Sequence, residues 1–274
     1  MTMAAPGLDH SKYTVILPTY NEVQNIPPMV EELLTRYPGV RVLVVDDDSY
    51  DGTPEAVREL MARHPGVDLL SRDPQDRGLT ASLMDGIAAV TTEHFVAMDA
   101  DFQHPPAVVE GIMRELAEGH VLVVGTRNDI RAMSVSRRLA SWGANFLAQA
   151  YLFVHRQRRP HDLMSGFFGG QTAVWREVIL SKGARFERRG FKVLFDLMKF
   201  GPRDVDIAEV RYDFGERAGG ESKLNSRVII SLLRQCGVLG RALAFLVGAM
   251  QRRHPQKERD QDAAATVVRP KAGT

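Results

Sequence analysis

Short runs of Val, Ile and Leu alternate with stretches of helical spacing through the first half of the chain. That alternation decides the fold class. "YTVILPTY", "VRVLVVDDDS", "VDLLSR", "EHFVAMDA" and "HVLVVGTR" are apolar, β-rich runs. Between them lie "NIPPMVEELLTRY", "TPEAVRELMARH", "LTASLMDGIAAV" and "PPAVVEGIMRELAEG", whose apolar residues recur at helical spacing. Continuously apolar strands are buried on both faces, and intervening helices supply the crossovers of a parallel sheet. Thr53 is the expected N-cap of the second helix, with Pro54 in its first turn, and Asn21 is a candidate cap for the first. After Arg127 the pattern changes. "SVSRRLASWGANFLAQAYLFV" and "GFKVLFDLMKF" read as helices, "MSGFFGGQTAVWREVIL" as a Gly-broken turn before a helix, and "VDIAEVRYDF" as a strand. The expectation is an α/β fold, a mostly parallel sheet with helices on both faces.

In such a sheet, ligands sit beyond the C-terminal strand ends. Those ends are Pro18 to Glu22, Asp46 to Asp48, Asp99 to Asp101 and Gly125 to Arg127, so the polar chemistry converges on one edge. Asp99 and Asp101, two apart after an apolar run, can aim at one point. With the Gln103 amide they suit a hard divalent cation such as Mg2+ or Mn2+. The plain alternative is a solvated turn with Asp101 capping the next helix, and His104 is expected to cap or pack. The first strand runs into "PTYNE" and not into a Gly-rich phosphate loop. That argues against dinucleotide oxidoreductases, P-loop NTPases and sugar nucleotidyltransferases. Pro18 and Tyr20 suit packing around a nucleoside, and Glu22 and Asp47 can accept hydrogen bonds from base or ribose. A net charge of +1 gives no global field for nucleic acid. The single Cys236 excludes a disulfide framework and a Cys-based zinc site.

"ILPTYNEVQNI", "VLVVDDDSYDGT", "RGLTASLMDGI", "AMDADFQHPP", "VGTR", "RRLASWGAN", "HDLMSGFF" and "GGESK" occur in this order between Tyr13 and Lys223. Together they resemble a family 2 glycosyltransferase with the Rossmann-like GT-A fold, of the dolichol/polyprenol-phosphate mannose synthase type. Tyr50 stands where that family usually has proline. The resemblance implies metal-dependent, inverting transfer of mannose from GDP-mannose to dolichyl or polyprenyl phosphate. Pro18, Tyr20, Glu22 and Asp47 would hold the nucleotide, with Asp46 a second candidate. Asp99, Asp101 and Gln103 would bind Mg2+ or Mn2+ at the diphosphate, with Ala100 beside the nucleotide sugar. Arg127, Arg137 and Ser141 would grip the lipid phosphate. Arg217 and Lys223 would close over the phosphates of the donor. Asp101, Arg127, Arg217 and Lys223 form the implied catalytic set. The neighbouring readings are a UDP-glucose:polyprenyl-phosphate glucosyltransferase and a non-catalytic nucleotide-sugar-binding subunit. The intact Asp99/Asp101 pair speaks against the second.

A phosphate monoester is mostly ionised at neutral pH, so as an acceptor it needs positioning more than a general base. Asp162 of "HDLMSGFF" is therefore expected to orient an arginine or the loop backbone. The sequence divides into a tail at 1–11, the glycosyltransferase domain at 12–225, an amphipathic helix at 226–250 and a polar, disordered tail at 251–274. Arg227, Arg234 and Arg241 are seven apart, so on a helix they share one face, drifting about 20° per heptad. An apolar body with a basic stripe fits a helix lying in the membrane interface. The N-terminus lacks the apolar core of a signal peptide. The expected location is cytoplasmic, peripheral on the cytoplasmic membrane face, with room for a membrane-anchoring partner subunit.

Overall fold

The computed structural model describes residues 7–128, 135–190, 192–213 and 215; for 135–144 the description is confined to the helical backbone. Residues 1–6 of the tail expected at 1–11, the side chains of Arg137 and Ser141, and Arg217, Lys223, the helix at 226–250 and the tail at 251–274 lie outside the described residues.

Among the described residues, seven strands form one sheet: β1 (Tyr13–Thr19), β2 (Arg41–Asp46), β3 (Val67–Ser71), β4 (His94–Ala97), β5 (Leu122–Arg127), β6 (Phe168–Gln171) and β7 (Ile207–Tyr212). The helices are α1 (Ile26–Arg36), α2 (Thr53–Arg63), α3 (Leu79–Ala89), α4 (Val109–Ala117), α5 (Val135–Val154), α6 (Thr172–Lys182) and α7 (Val193–Phe200). Strand order is β3-β2-β1-β4-β6-β5-β7. Every neighbouring pair is parallel except those of β6, which runs antiparallel between β4 and β5.

Period-two alternation splits each strand between two cores. Ile16, Val45, Phe95, Ala97 and Val124 point to the face covered by α3, α6 and α7, with Ala148 and Leu152 of α5. Val15, Leu17, Val44, Val96 and Val123 point to the face covered by α1, α2 and α4. The sheet is thus buried on both sides, as the unbroken apolar runs require.

Strand β6 corrects the sequence reading, which made "SGFFGG" a turn. Gly169 and Gly170 look like breakers, yet they sit in a central strand because the layers above and below press on it. A Cβ on Gly169 would lie 2.7 Å from Ile112 Cγ2, and one on Gly170 2.5 Å from Trp175 Cδ1. Helices α4 and α6 approach the sheet at two points where a side chain would block them.

Two cap assignments also change. Gly52, at φ +93°, holds the cap position of α2, and Thr53 is the first helical residue. The carboxylate of Asp51 accepts the first helical N–H, that of Thr53 (3.0 Å), through Oδ1, and its Oδ2 takes the Val23 N–H (3.0 Å) from the loop before α1. Helix α1 starts at Ile26 after Asn25, so Asn21 caps nothing; its Oδ1 accepts the Tyr50 N–H at 3.0 Å.

Candidate active site

The chain leaves β1 toward β2 and β3, then returns to place β4 on the other side of β1. That reversal opens a crevice at the C-terminal ends of β1 and β4, where open α/β sheets bind ligands. The Met98 N–H still reaches Ile16 O (3.2 Å), so Asp99 emerges just past the last rung beside Pro18. Three non-glycine residues at this edge have left-handed backbones: Asn21 (φ 56°), Asp48 (φ 63°) and Phe102 (φ 64°), one after each of β1, β2 and β4. Such conformations are uncommon outside glycine and collect at functional edges.

The β1–β2 side carries the residues expected at the nucleotide. Asp46 is buried; its Oδ2 accepts the Ser49 N–H (3.0 Å), and its Oδ1 makes no hydrogen bond. Asp47 is committed to the protein, with Oδ1 on Arg72 Nη1 and Oδ2 on the Gly78 N–H (2.9 Å). Arg72 is the centre of a buried network. Its guanidinium also donates to Asp85 (2.8 Å), to Asp76 Oδ2 (3.0 Å) and to Asp76 O (2.9 Å). Arg188, from the loop before α7, closes the network on Asp76 and Asp85. Arg77 pairs with Asp48 and lies over the Tyr20 ring, 5.1 Å from its centroid, and Tyr50 packs edge-on against Tyr20. Glu22 Oε2 accepts from Asn25 Nδ2 (2.7 Å).

Beyond β4, Asp101 is buried and its Oδ1 accepts the Gln103 N–H (3.1 Å), which closes the turn. Asp99 keeps 41% of its side chain exposed. A Cβ on Gly166 would stand 3.7 Å from both Asp99 carboxylate oxygens, so the bare backbone there leaves room beside them. His104 packs, as expected. It is buried, stacked on Phe167, and its Nδ1 accepts the Asp99 N–H (2.9 Å). Burial pushes its pKa down, and an unprotonated Nδ1 that accepts a hydrogen bond cannot pair as a cation with the Asp99 carboxylate 3.7 Å away. The donor set of Asp99, Asp101 and Gln103 is all oxygen at an accessible edge, which fits a hard divalent ion. Among the described residues, three His/Cys/Asp/Glu side chains converge only at Glu115, Glu118 and His120. That trio lies at the start of β5, the opposite end of the strand from Arg127.

Across the crevice, Arg127 donates from Nε (3.0 Å) and Nη2 (2.8 Å) to Asp162 Oδ2. Asp162 Oδ1 takes the Met164 N–H (2.9 Å), so this carboxylate orients both an arginine and its own loop, as expected. Asn145 of "GAN" braces the loop from α5, donating to His161 O (2.9 Å) and accepting the Leu163 N–H (3.1 Å). Ser165 Oγ ties it to Gly125 O (2.7 Å). Lys192 Nζ donates to Met164 O (2.7 Å), and burial together with the Arg127 charge pushes this ammonium down to about 8. Burial raises the Tyr212 phenol, which packs against Phe167 and His104.

Pro18, Tyr20, Glu22, Asp46, Asp47, Asp99, Ala100, Asp101, Gln103 and Arg127 all belong to this one edge. Gly215 donates to Gln103 O (3.0 Å), which places this residue of the segment after β7 at the same edge. Sequence reasoning missed Arg72, Arg77 and Lys192. Arg72 ends the run "VDLLSR" at the polar edge, a usable signal; Lys192 gave none, because its partners are distant in the chain.

Strand order, the antiparallel strand inside a parallel sheet and the carboxylate edge define a GT-A glycosyltransferase. The chain belongs to glycosyl transferase family 2, whose model matches residues 14–180. It is 31% identical over 236 residues to a dolichol-phosphate mannosyltransferase of Mycosarcoma maydis, covering 81% of this chain and 76% of that one. The Saccharomyces cerevisiae enzyme of that name is 33% identical over 238 residues (82% and 85% covered). The Pyrococcus furiosus enzyme is 33% identical over 229 residues (81% covered), and this chain spans only 62% of its length. Among solved structures, glucosyl-3-phosphoglycerate synthase from Mycobacterium tuberculosis with Mn2+ and UDP superposes with TM-score 0.57 at 23% identity (86% and 87% covered). Mannosyl-3-phosphoglycerate synthase from Rubrobacter xylanophilus gives 0.54 at 17% identity (96% and 78% covered). At these identities the likeness is one of fold.

Proposed function

We propose that this glycosyltransferase moves mannose from GDP-mannose to a dolichyl or polyprenyl phosphate at the membrane surface, with a divalent cation at Asp99, Asp101 and Gln103. The observation that carries the reading is the pairing of two walls of opposite charge at one sheet edge, one after β4 and one after β5. One wall presents the Asp99 and Asp101 carboxylates; the other presents Arg127, held by Asp162. A donor diphosphate needs a cation between itself and the first wall. A second phosphate needs the guanidinium of the other.

The acceptor oxygen is already anionic near neutral pH, since the second pKa of a phosphate monoester is about 6. It attacks the anomeric carbon in line while the bond to the diphosphate breaks, and the configuration inverts. No base is called for. Asp162 is engaged by Arg127 and the Met164 N–H, and His104 Nδ1 by the Asp99 N–H. Holding two anions in attack geometry is the protein's main task. Asp162 serves it by fixing Arg127, and Asn145 by fixing the loop that carries Asp162. A bound Mg2+ or Mn2+ would neutralise charge on the departing diphosphate.

The test is label transfer from GDP-, UDP- and dTDP-sugars to short polyprenyl phosphates, with and without Mn2+. Labelled lipid from GDP-mannose is the expected product. Product from UDP-glucose alone would move the assignment to a glucosyltransferase. Nucleotide-sugar binding without transfer to any phosphate acceptor would leave a binding subunit.

A further inference from the structure

Tyr50 follows β2 and is 80% exposed, more than any other large apolar side chain among the described residues. Single exposed apolar groups are ordinary on a protein surface. Tyr50 differs from the others in its place. The rest lie on α2, α5 and α6, whereas Tyr50 stands beyond the C-terminal ends of β1 and β2, where the donor nucleotide is expected.

Its position is fixed from two sides. The Tyr50 N–H donates to Asn21 Oδ1 (3.0 Å) and the Asn21 N–H donates to Ser49 Oγ (2.8 Å), so the loop after β1 holds the loop after β2 at this residue. The Tyr50 ring stands at 77° to the Tyr20 ring, with centroids 6.2 Å apart. Edge-on pairs of this kind are favourable, and at 80% exposure the contact leaves the faces of the Tyr50 ring largely open to water. The two rings make a corner, and they are not equivalent. The Arg77 guanidinium lies over Tyr20, 5.1 Å from its centroid, and is itself held by the Asp48 carboxylate and by Asp48 O (3.1 Å). A flat ligand entering the corner finds one Tyr20 face taken and Tyr50 open.

A nucleobase suits such a surface. Base–aromatic stacking needs only an accessible ring face, and a tyrosine supplies it at low conformational-entropy cost. We propose that Tyr50 is the base-stacking residue of the donor site, with Tyr20, covered by Arg77, as its buttress. This inference rests on the reading of the donor as a nucleotide sugar bound at the ends of β1 and β2. It moves the stacking contact from Tyr20, where the sequence places it, to the neighbouring loop.

The test uses Tyr50→Ala, Tyr50→Phe and Tyr50→Trp in the full chain. The ring is exposed and the backbone bond to Asn21 survives each change, so the variants keep the fold. Calorimetry gives the Kd of GDP, UDP and inorganic pyrophosphate, each with Mn2+, and requires no turnover. Expected for Tyr50→Ala is a rise of about ten-fold in GDP Kd, the scale of one base stacked on one aromatic ring. Pyrophosphate Kd should stay at the wild-type value, and Tyr50→Phe should bind GDP as wild type does. In Tyr50→Trp, GDP should quench the indole fluorescence beyond any change in wild type, and pyrophosphate should not. Equal GDP binding by wild type and Tyr50→Ala would overturn the proposal, whether or not sugar is transferred. A matching loss of pyrophosphate affinity would also overturn it, because the side chain would then act on the loop and not on a base. Tyr50→Phe as weak as Tyr50→Ala would replace stacking by a contact of the phenol hydroxyl and count against it equally. Binding of UDP in place of GDP, weakened by Tyr50→Ala, would support Tyr50 and sink the GDP-mannose donor.

Discussion

At the scale of single residues, the two aspartates after β4 do different jobs. Asp101 is buried and closes the turn through the Gln103 N–H; Asp99 is the more open of the pair. Asp101→Asn preserves the turn, because an amide oxygen can still accept that N–H, but it removes one negative charge facing the diphosphate. The expected outcome is a stable protein whose GDP affinity no longer rises with Mn2+ and whose transfer is lost. Titration calorimetry of GDP with and without Mn2+ checks it, and a metal response equal to wild type would remove Asp101 from the ion site. This pair was legible because both carboxylates lie in one short stretch at a strand end. Asp162 was legible in role, as an orienter, because an ionised acceptor leaves a base nothing to do. Lys192 was not: its place beside Arg127 depends on how α7 docks against the 162–166 loop, which no local pattern encodes. The same holds for Asp47, whose carboxylate looks available in sequence and is taken by Arg72 and Gly78 in the fold.

At the scale of elements, the strands with continuous Val/Ile/Leu were legible, and β6 was not. Its glycines answer to packing partners on α4 and α6 and carry no strand propensity of their own. The network joining β2, β3, α3 and the loop before α7 was equally hidden, because arginine is seldom buried unless paired. Arg72 has only 2% of its side chain exposed, and its partner Asp47 12%. Arg72→Met should destabilise the domain by about 3 kcal/mol, chiefly through the uncompensated Asp47 charge, since Asp76 and Asp85 remain half-open to water. Urea unfolding measures it; a loss below roughly 1 kcal/mol would mean that the network is solvated in solution. Its outer arm has a pH signature. The hydrogen bond from Arg188 holds the Asp76 carboxyl below its ordinary value of 3.8. A depressed folded pKa stabilises above the unfolded pKa, and that contribution fades as pH falls through the folded value. Wild type should therefore lose more stability than Arg188→Ala on acidification from pH 5 to about 3. Parallel pH–stability curves for the two proteins would show that the Arg188 bond does not set the Asp76 titration.

At the scale of the whole molecule, the proposed reaction brings a soluble donor to an acceptor whose headgroup is fixed at a bilayer, which would set the crevice to work at the boundary. Among the described residues, no helix is long and apolar enough to cross a membrane. Surface contact can come instead from apolar and basic groups together. The end of α5 exposes Phe153 and Val154, followed by exposed Arg156, Arg158 and Arg159, with the Arg159 guanidinium 4.8 Å from the centre of the Phe153 ring. Farther along the sequence, Arg227, Arg234 and Arg241 recur among Val228, Ile229, Ile230, Leu232, Leu233, Leu243 and Phe245. Each such charge near an anionic surface contributes about 1 kcal/mol, so three reversals remove most of the electrostatic attraction. The apolar contribution survives that change, and it is insensitive to screening by salt. Changing Arg227, Arg234 and Arg241 together to Glu should release the protein from phosphatidylserine vesicles at low salt. It should also depress transfer to long-chain acceptors while sparing transfer to farnesyl phosphate. Co-sedimentation at low and high salt, run beside both transfer assays, separates the two effects. Vesicle binding by the triple variant at the wild-type level, or an equal loss on long and short acceptors, would show that these arginines serve something other than the membrane surface.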